Sequence, residues 1–207
     1  MAETSKVAGF ILAGGESSRM GREKALLDIG GIPLILRTAG LVESVAGSAT
    51  VVGETPAIRA LGLRTVADDW PGAGPLGGIA TALRASNAEW SLVVACDLPY
   101  LTKAWLEYLV SRAMESDADA VIAMNQGGAE PLCAAYRGTA EPAIRSAVAL
   151  GNRKVRSMLE NLRGEVIEPG EWKRFDSDGY LFKNMNSPED YEQARARLGT
   201  GAGFGEK

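Results

Sequence analysis

Short, uniformly apolar runs alternate along the chain with longer stretches in which apolar residues recur every three or four positions. Val7–Leu12 (VAGFIL) has no polar position and predicts a strand buried on both faces, ending at Ala13-Gly14-Gly15. Pro33 predicts a helix start, because its missing N–H is no loss at the first helical position. That helix runs to about Val45, with Leu34, Ile35, Ala39 and Val42 on its buried stripe. Ala49–Val52 and residues 63–66 read as further strands, and residues 76–85 as a helix entered through Gly74-Pro75. Residues 92–95 form the next apolar run, closing on Cys96-Asp97-Leu98-Pro99.

Thr102 is placed to cap a helix over Lys103–Glu115, whose Trp105, Leu106, Leu109 and Val110 fall on one face. Strand-like runs over 120–124 and 132–136 flank the turn signal Gly127-Gly128, and 141–150 and 155–162 are helical patterns. Ser187-Pro188-Glu189-Asp190 has the form of a capped helix start, and the helix runs to Leu198 before Gly199. Strands alternating with helices imply βαβ units: a Rossmann-like, three-layer α/β/α fold on a mostly parallel sheet. With 207 residues and no repeat or linker-like break, one domain over 1–199 and a Gly-rich tail over 200–207 are expected.

Composition narrows the chemistry. The 22 basic and 26 acidic side chains give a net charge of −4, which argues against a surface that coats nucleic acid. No apolar run is long enough to span a membrane and the N-terminus has no signal-peptide pattern, so a soluble cytoplasmic protein is expected. Cys96 and Cys133 both lie in apolar runs and read as buried thiols. There is no histidine. This excludes Ser-His-Asp and Cys-His nucleophiles and His-ligated metals, and leaves Asp, Glu, Lys, Arg and Asn for any catalysis.

The first loop, Leu12-Ala13-Gly14-Gly15-Glu16-Ser17-Ser18-Arg19-Met20-Gly21-Arg22-Glu23-Lys24, follows a buried strand. Its glycines let backbone N–H groups approach a phosphate, Arg19 can fork onto phosphate oxygens, and Lys24 adds a point charge. It is neither a P-loop nor a dinucleotide fingerprint, since the glycine spacing fits neither. This loop resembles the L-A-G-G-x-S-x-R-M-G-x-x-K signature of the nucleotidyltransferases that make the molybdenum cofactor, in particular the MobA-type guanylyltransferases. Cytidylyltransferase relatives tend to read L-A-A-G here, so Gly14-Gly15 favours guanine.

Four more segments resemble the family in its own order: Asp68-Asp69-Trp70-Pro71-Gly72-Ala73-Gly74-Pro75-Leu76, Cys96-Asp97-Leu98-Pro99-Tyr100, Glu130-Pro131-Leu132, and Phe182-Lys183-Asn184-Met185-Asn186-Ser187-Pro188-Glu189-Asp190. Where many relatives have a polar residue after the second strand, this chain has Gly53. The resemblance implies a nucleotide-diphospho-sugar transferase-like fold and transfer of GMP from GTP to the terminal phosphate of a molybdopterin cofactor, with release of pyrophosphate. It implies main-chain contacts to the nucleotide from Leu12, Ala13, Gly14 and Gly15, phosphate contacts from Arg19 and Lys24, and Mg²⁺ on Asp97. It also implies a base-reading carboxylate at Asp68, with Asp69 the alternative because the two acids are adjacent.

A carboxylate there can accept from the N1 and N2 edge of guanine, which cytosine lacks. Gly74, Gly77 and Gly78 would let a flat base lie against backbone. Asn184 and Asn186 alternate onto one face and either approach the phosphates or second substrate, or cap the following helix. Glu130 and Arg137 either face the second substrate or are the polar ends of a core strand. Arg145, Arg153, Lys154 and Arg156 form either a solvated face or a landing surface for the pterin phosphate. Implied partners are GTP, the molybdopterin substrate and, downstream, molybdoenzyme chaperones or other cofactor-biosynthesis proteins. A CTP-dependent cytidylyltransferase, a small sugar-1-phosphate nucleotidyltransferase and a non-catalytic nucleotide-binding module are the alternatives.

Overall fold

The computed structural model describes residues 6–13, 24–125, 127–152, 155 and 161–199. In chain order come β1 (Val7–Leu12), a 3-10 turn (Lys24–Leu26), β2 (Asp28–Ile29), β3 (Ile32–Pro33) and α1 (Leu34–Ala46). Next are β4 (Ala49–Val52), α2 (Pro56–Ala60), β5 (Thr65–Val66), α3 (Pro75–Ala85) and β6 (Trp90–Ala95). Then follow α4 (Lys103–Glu115), β7 (Ala120–Asn125), β8 (Gly128–Arg137) and α5 (Glu141–Ala149). The chain continues with β9 (Gly164–Ile167), α6 (Pro169–Trp172) and α7 (Pro188–Leu198).

Seven strands form one sheet in the order β5-β4-β1-β6-β8-β7-β9, and β2 and β3 pair as a separate small hairpin. β4 and β6 join β1 in parallel, as β5 joins β4 and β9 joins β7, whereas β8 runs antiparallel to both β6 and β7. Six strands therefore point the same way, and their carboxyl ends share one edge. The expected mostly parallel sheet is present, with β8 as its one reversed strand.

The apolar runs of β1 and β6 are explained by burial on both faces. Ile11, Leu92 and Val94 pack with α1 and α4 through Ile35, Val42, Leu106 and Leu109. Phe10 and Val93 pack on the other side with α3 and α5 through Ile79, Leu83, Ile144 and Val148. Each such side chain contributes about 1.5–3 kcal/mol on leaving water. At Gly9 the approach is closest: a Cβ there would collide with Val42 and with the Ser48 carbonyl, so only glycine lets the end of α1 settle on β1.

The start of α1 differs from the sequence reading for a local reason, while its end falls where expected. Pro33 closes the β2–β3 hairpin and caps α1 rather than opening it, and α1 ends at Gly47 in the left-handed conformation (φ 70°). α2 and β9 have no counterpart in the periodicity, being five and four residues long. Thr102 and Ser187 cap α4 and α7 as their sequences imply. The expected tail over 200–207 and most of the helical pattern over 155–162 lie outside the described residues.

Candidate functional site

The carboxyl edge of the parallel strands gathers chain from far-apart segments. Leu12 ends β1, and its carbonyl accepts from Cys96 N at 3.1 Å, while the Ala13 N–H donates to Val52 O at 3.2 Å. These bonds prolong the sheet by one step, so the Ala13 N–H is already used by the fold. Gly53 extends it likewise, its N–H donating to Val66 O at 3.0 Å. Gly14, Gly15 and Arg19 lie outside the described residues, as do Arg153, Lys154 and Arg156.

Lys24 opens the 3-10 turn, and burial of Ala25, Leu27 and Ile29 fixes its backbone. Its Nζ donates to Asn186 Oδ1 at 2.8 Å and stands 4.0 Å from Asp97 Oδ2. Asp97 follows β6 between buried Cys96 and Leu98, and its carbonyl accepts from Met185 N at 2.9 Å. Its side chain remains 31% exposed against 23% for Lys24. Burial pushes the Asp97 carboxyl above its ordinary value, and the Lys24 ammonium pulls it back in part. Lys24, Asp97 and Asn186 are thus brought to one point from three separate segments.

The Asn186 segment is held by its apolar residues. Met185 is fully buried, and Phe182 meets Trp105 and Trp172 edge-on at centroid distances of 5.4 and 5.0 Å. Asn184 and Asn186 flank Met185 and are both exposed, but only Asn186 reaches Lys24 among the described contacts.

The two neighbouring acids after β5 are separated clearly. Arg84 forks onto both oxygens of Asp69, one bond through Nη2 being 2.6 Å. Asp68 Oδ1 accepts from Trp70 N at 2.9 Å and lies 3.2 Å from Thr81 Oγ1. Among the described residues nothing bonds to Asp68 Oδ2. Asp69 is tied to the fold, and Asp68 keeps an oxygen to offer.

Other sequence-derived candidates sort differently. Gly77 and Gly78 are packing glycines: an added Cβ would stand 3.0 Å from Trp70 and Ala73, or 3.1 Å from Leu12. They therefore seat α3 on β1 and on the Trp70 turn rather than baring backbone to a base. Gly74 has φ 71° and open space around it, as a turn before a helix requires. Arg137 does not accompany Glu130. β8 carries the two to opposite edges, about 23 Å of strand apart, and Arg137 pairs with Trp90, donates to Ser116 O at 2.6 Å and stacks on the Trp90 ring. Glu130 stays at the carboxyl edge, accepting from Asn125. Arg145 pairs with Glu141 on an exposed helix face. Both cysteines are free and buried, and burial pushes the Cys133 thiol up to about 12, which marks it as packing.

Residues 9–166 match the family model of the MobA-like NTP transferase domain. A protein of Desulfosudis oleivorans named "Molybdenum cofactor guanylyltransferase" is 32% identical, over 94% of this chain and 97% of its own. One from Peptoclostridium acidaminophilum, named "Probable molybdenum cofactor guanylyltransferase", is 33% identical over 90% of this chain and 87% of its own. The crystal structure of molybdopterin-guanine dinucleotide biosynthesis protein A from Archaeoglobus fulgidus superposes with a TM-score of 0.80 at 26% identity, covering 92% of this chain and 97% of that one. With more than half its length matched and its acid, lysine and asparagine meeting at the carboxyl edge, the chain belongs to the MobA-like NTP transferase family.

Proposed function

We propose that the protein transfers GMP from GTP to the terminal phosphate of molybdenum-molybdopterin, forming the guanine dinucleotide cofactor and releasing pyrophosphate. The observation that carries this reading is the meeting of Lys24, Asp97 and Asn186 at the edge where open α/β sheets bind ligands. The names of the relatives supply the nucleotide and the acceptor.

A phosphate monoester has a second pKa of about 6, so the attacking oxygen is largely ionised near neutrality and needs no general base. This suits a chain without histidine. The barrier is electrostatic: two anions must approach, and charge builds on the departing pyrophosphate. Lys24 holds a compact positive charge against the triphosphate, and Arg19 supplies a second. Asp68 reads the guanine edge with its uncommitted oxygen, while Arg84 keeps Asp69 out of the pocket.

Asp97 suits a magnesium ion: its carboxylate is half-buried, its ionised form is disfavoured by burial, and the neighbouring ammonium stops 4.0 Å away. Among the described residues no three acidic or thiol side chains form a cage, so Asp97 would share such an ion with nucleotide phosphates and water. A bound magnesium would supply charge neutralisation to the triphosphate.

The test is transfer of α-labelled phosphate from GTP to purified molybdenum-molybdopterin with magnesium present. Label in the dinucleotide, with matching pyrophosphate release, is the expected result. Label from CTP alone would indicate a cytidylyltransferase, and transfer only to a sugar-1-phosphate would indicate that class instead. GTP binding without any transfer would leave a non-catalytic nucleotide-binding module.

A further inference from the structure

Asp190 closes the capping box of α7, and its carboxylate also reaches one residue beyond it. Oδ2 accepts from Ser187 N at 3.0 Å, which forms the box together with the Asp190 N–H donating to Ser187 Oγ at 3.2 Å. Oδ2 accepts from Ser187 Oγ as well, at 3.1 Å. It also accepts from Asn186 N at 3.0 Å. Oδ1 faces Lys183 Nζ at 3.6 Å, and Lys183 is itself held by Gln193. These contacts, led by the Asn186 N–H, hold the Asp190 carboxyl below the usual carboxylate range.

The preceding amide is fixed as well, since Met185 N donates to Asp97 O and the Met185 side chain is buried. Three successive N–H groups, at 185, 186 and 187, are therefore tied down by Asp97 and Asp190. The Asn186 side chain can then aim its Oδ1 at the Lys24 ammonium, 2.8 Å away. Lys24 Nζ sits at hydrogen-bond distance from this neutral amide and well outside it from Asp97 Oδ2, at 4.0 Å.

That arrangement matters to the chemistry. An ammonium seated directly on Asp97 would compete with a divalent cation for the same oxygens and would lose its own field to the carboxylate. A neutral amide holds the lysine and adds no negative charge of its own beside it.

We propose that Asp190 is a positioning residue for the transfer site: by gripping the Asn186 amide it aims Asn186 at Lys24 and keeps that ammonium from closing onto Asp97. This inference rests on the reading above, in which Asp97 receives the cation.

The experiment compares wild type with Asp190→Ala, Asp190→Asn and Ser187→Ala. Four quantities are measured: the melting temperature, kcat, KM for GTP, and Mn²⁺ held by the acceptor-free protein–GTP complex, followed by electron paramagnetic resonance. Asp190→Ala and Ser187→Ala both damage the start of α7 and both lower the melting temperature. Only Asp190→Ala is expected to weaken Mn²⁺ binding, by about tenfold, with kcat falling more than KM rises. Asp190→Asn keeps an acceptor oxygen for the Asn186 N–H and is expected to restore most of both.

Equal losses in Ser187→Ala and Asp190→Ala would show that capping alone is at work and overturn the proposal, as would wild-type Mn²⁺ binding and kcat in Asp190→Ala. If Asp190→Ala does not fold, Asn186→Ala leaves the capping side chains intact and must weaken Mn²⁺ binding; wild-type binding there overturns the proposal. Wild-type protein that binds GTP but holds no Mn²⁺ would instead remove the role of Asp97, and this inference with it.

Discussion

Two aspartates stand at opposite edges of the sheet, on strands that run parallel either side of β8. Asp97 follows the carboxyl end of β6, and Asp119 precedes the amino end of β7. Asp119 accepts from Arg163 through Nε, Nη2 and the backbone N at 3.1, 3.0 and 3.3 Å, and from Thr139 Oγ1 at 2.9 Å. Led by Arg163, these bonds pull its carboxyl down to about 2. Asp97 has the reverse setting, pushed up by burial and only partly answered by an ammonium 4.0 Å off. One carboxylate is satisfied by the fold and serves structure. The other is half-buried with an ammonium 4.0 Å off as its partner among the described contacts, and that incomplete pairing is what a ligand can fill.

The sharpest way to break this contrast is Asp97→Asn. Transfer is expected to fall by about a hundredfold or more, since the cation that neutralises the phosphates would lose its carboxylate. The melting temperature at pH 7 should not fall, because an ionised group disfavoured by burial has been removed. Pyrophosphate release and calorimetric melting check both halves. Next in size is Lys24→Ala, for which GTP titration should show about tenfold weaker binding together with slower transfer. An unchanged titration would detach Lys24 from the phosphates.

Asp119→Asn is the smaller, opposite case. Transfer per folded molecule should be unchanged while the melting temperature drops by about 3 °C. The folded value of Asp119 lies below its unfolded value of about 3.9, so its contribution is complete above that pH and disappears as pH falls through about 2. The difference between wild type and Asp119→Asn should therefore close on acidification. For Asp97 the sign reverses. Its raised folded value makes the ionised form a cost above the ordinary carboxylate range, so Asp97→Asn gains on wild type towards neutral pH and loses that advantage in acid. Two melting series against pH would show the crossing.

Much of the fold was legible because β1, β4, β6 and β7 are apolar runs of four to six residues, and α4 and α7 carry their own caps. The β2–β3 hairpin and β9 were not, since two to four residues are too few to show a period. At the site, the acid, the lysine and the asparagines could be named from their motifs, but not their partnerships. The resemblance favoured Asp68, but adjacency kept Asp69 as an alternative until Arg84 and Thr81, more than ten residues on, drew them apart. It also left Glu130 and Arg137 either facing the second substrate or standing as the polar ends of a core strand, and the ten residues of β8 carry them to opposite edges. Asp190 read as an ordinary cap. Its hold on Asn186 depends on how the chain enters α7, which spacing alone does not encode.

The reversed direction of β8 has a practical consequence. Asn125 pairs with Gly128, so β7 returns into β8 by a hairpin at the same edge as Asp97. The connections from β1 to β4, β4 to β5, β5 to β6 and β6 to β7 must each travel back through a helix before the next strand begins. The hairpin tip is thus a place on the Asp97 edge where the chain can be lengthened or shortened without rethreading a crossover. Each doubling of such a loop costs only about 0.6 kcal/mol in closure entropy. Length can change at that bend while the order and register of the parallel strands stay as they are.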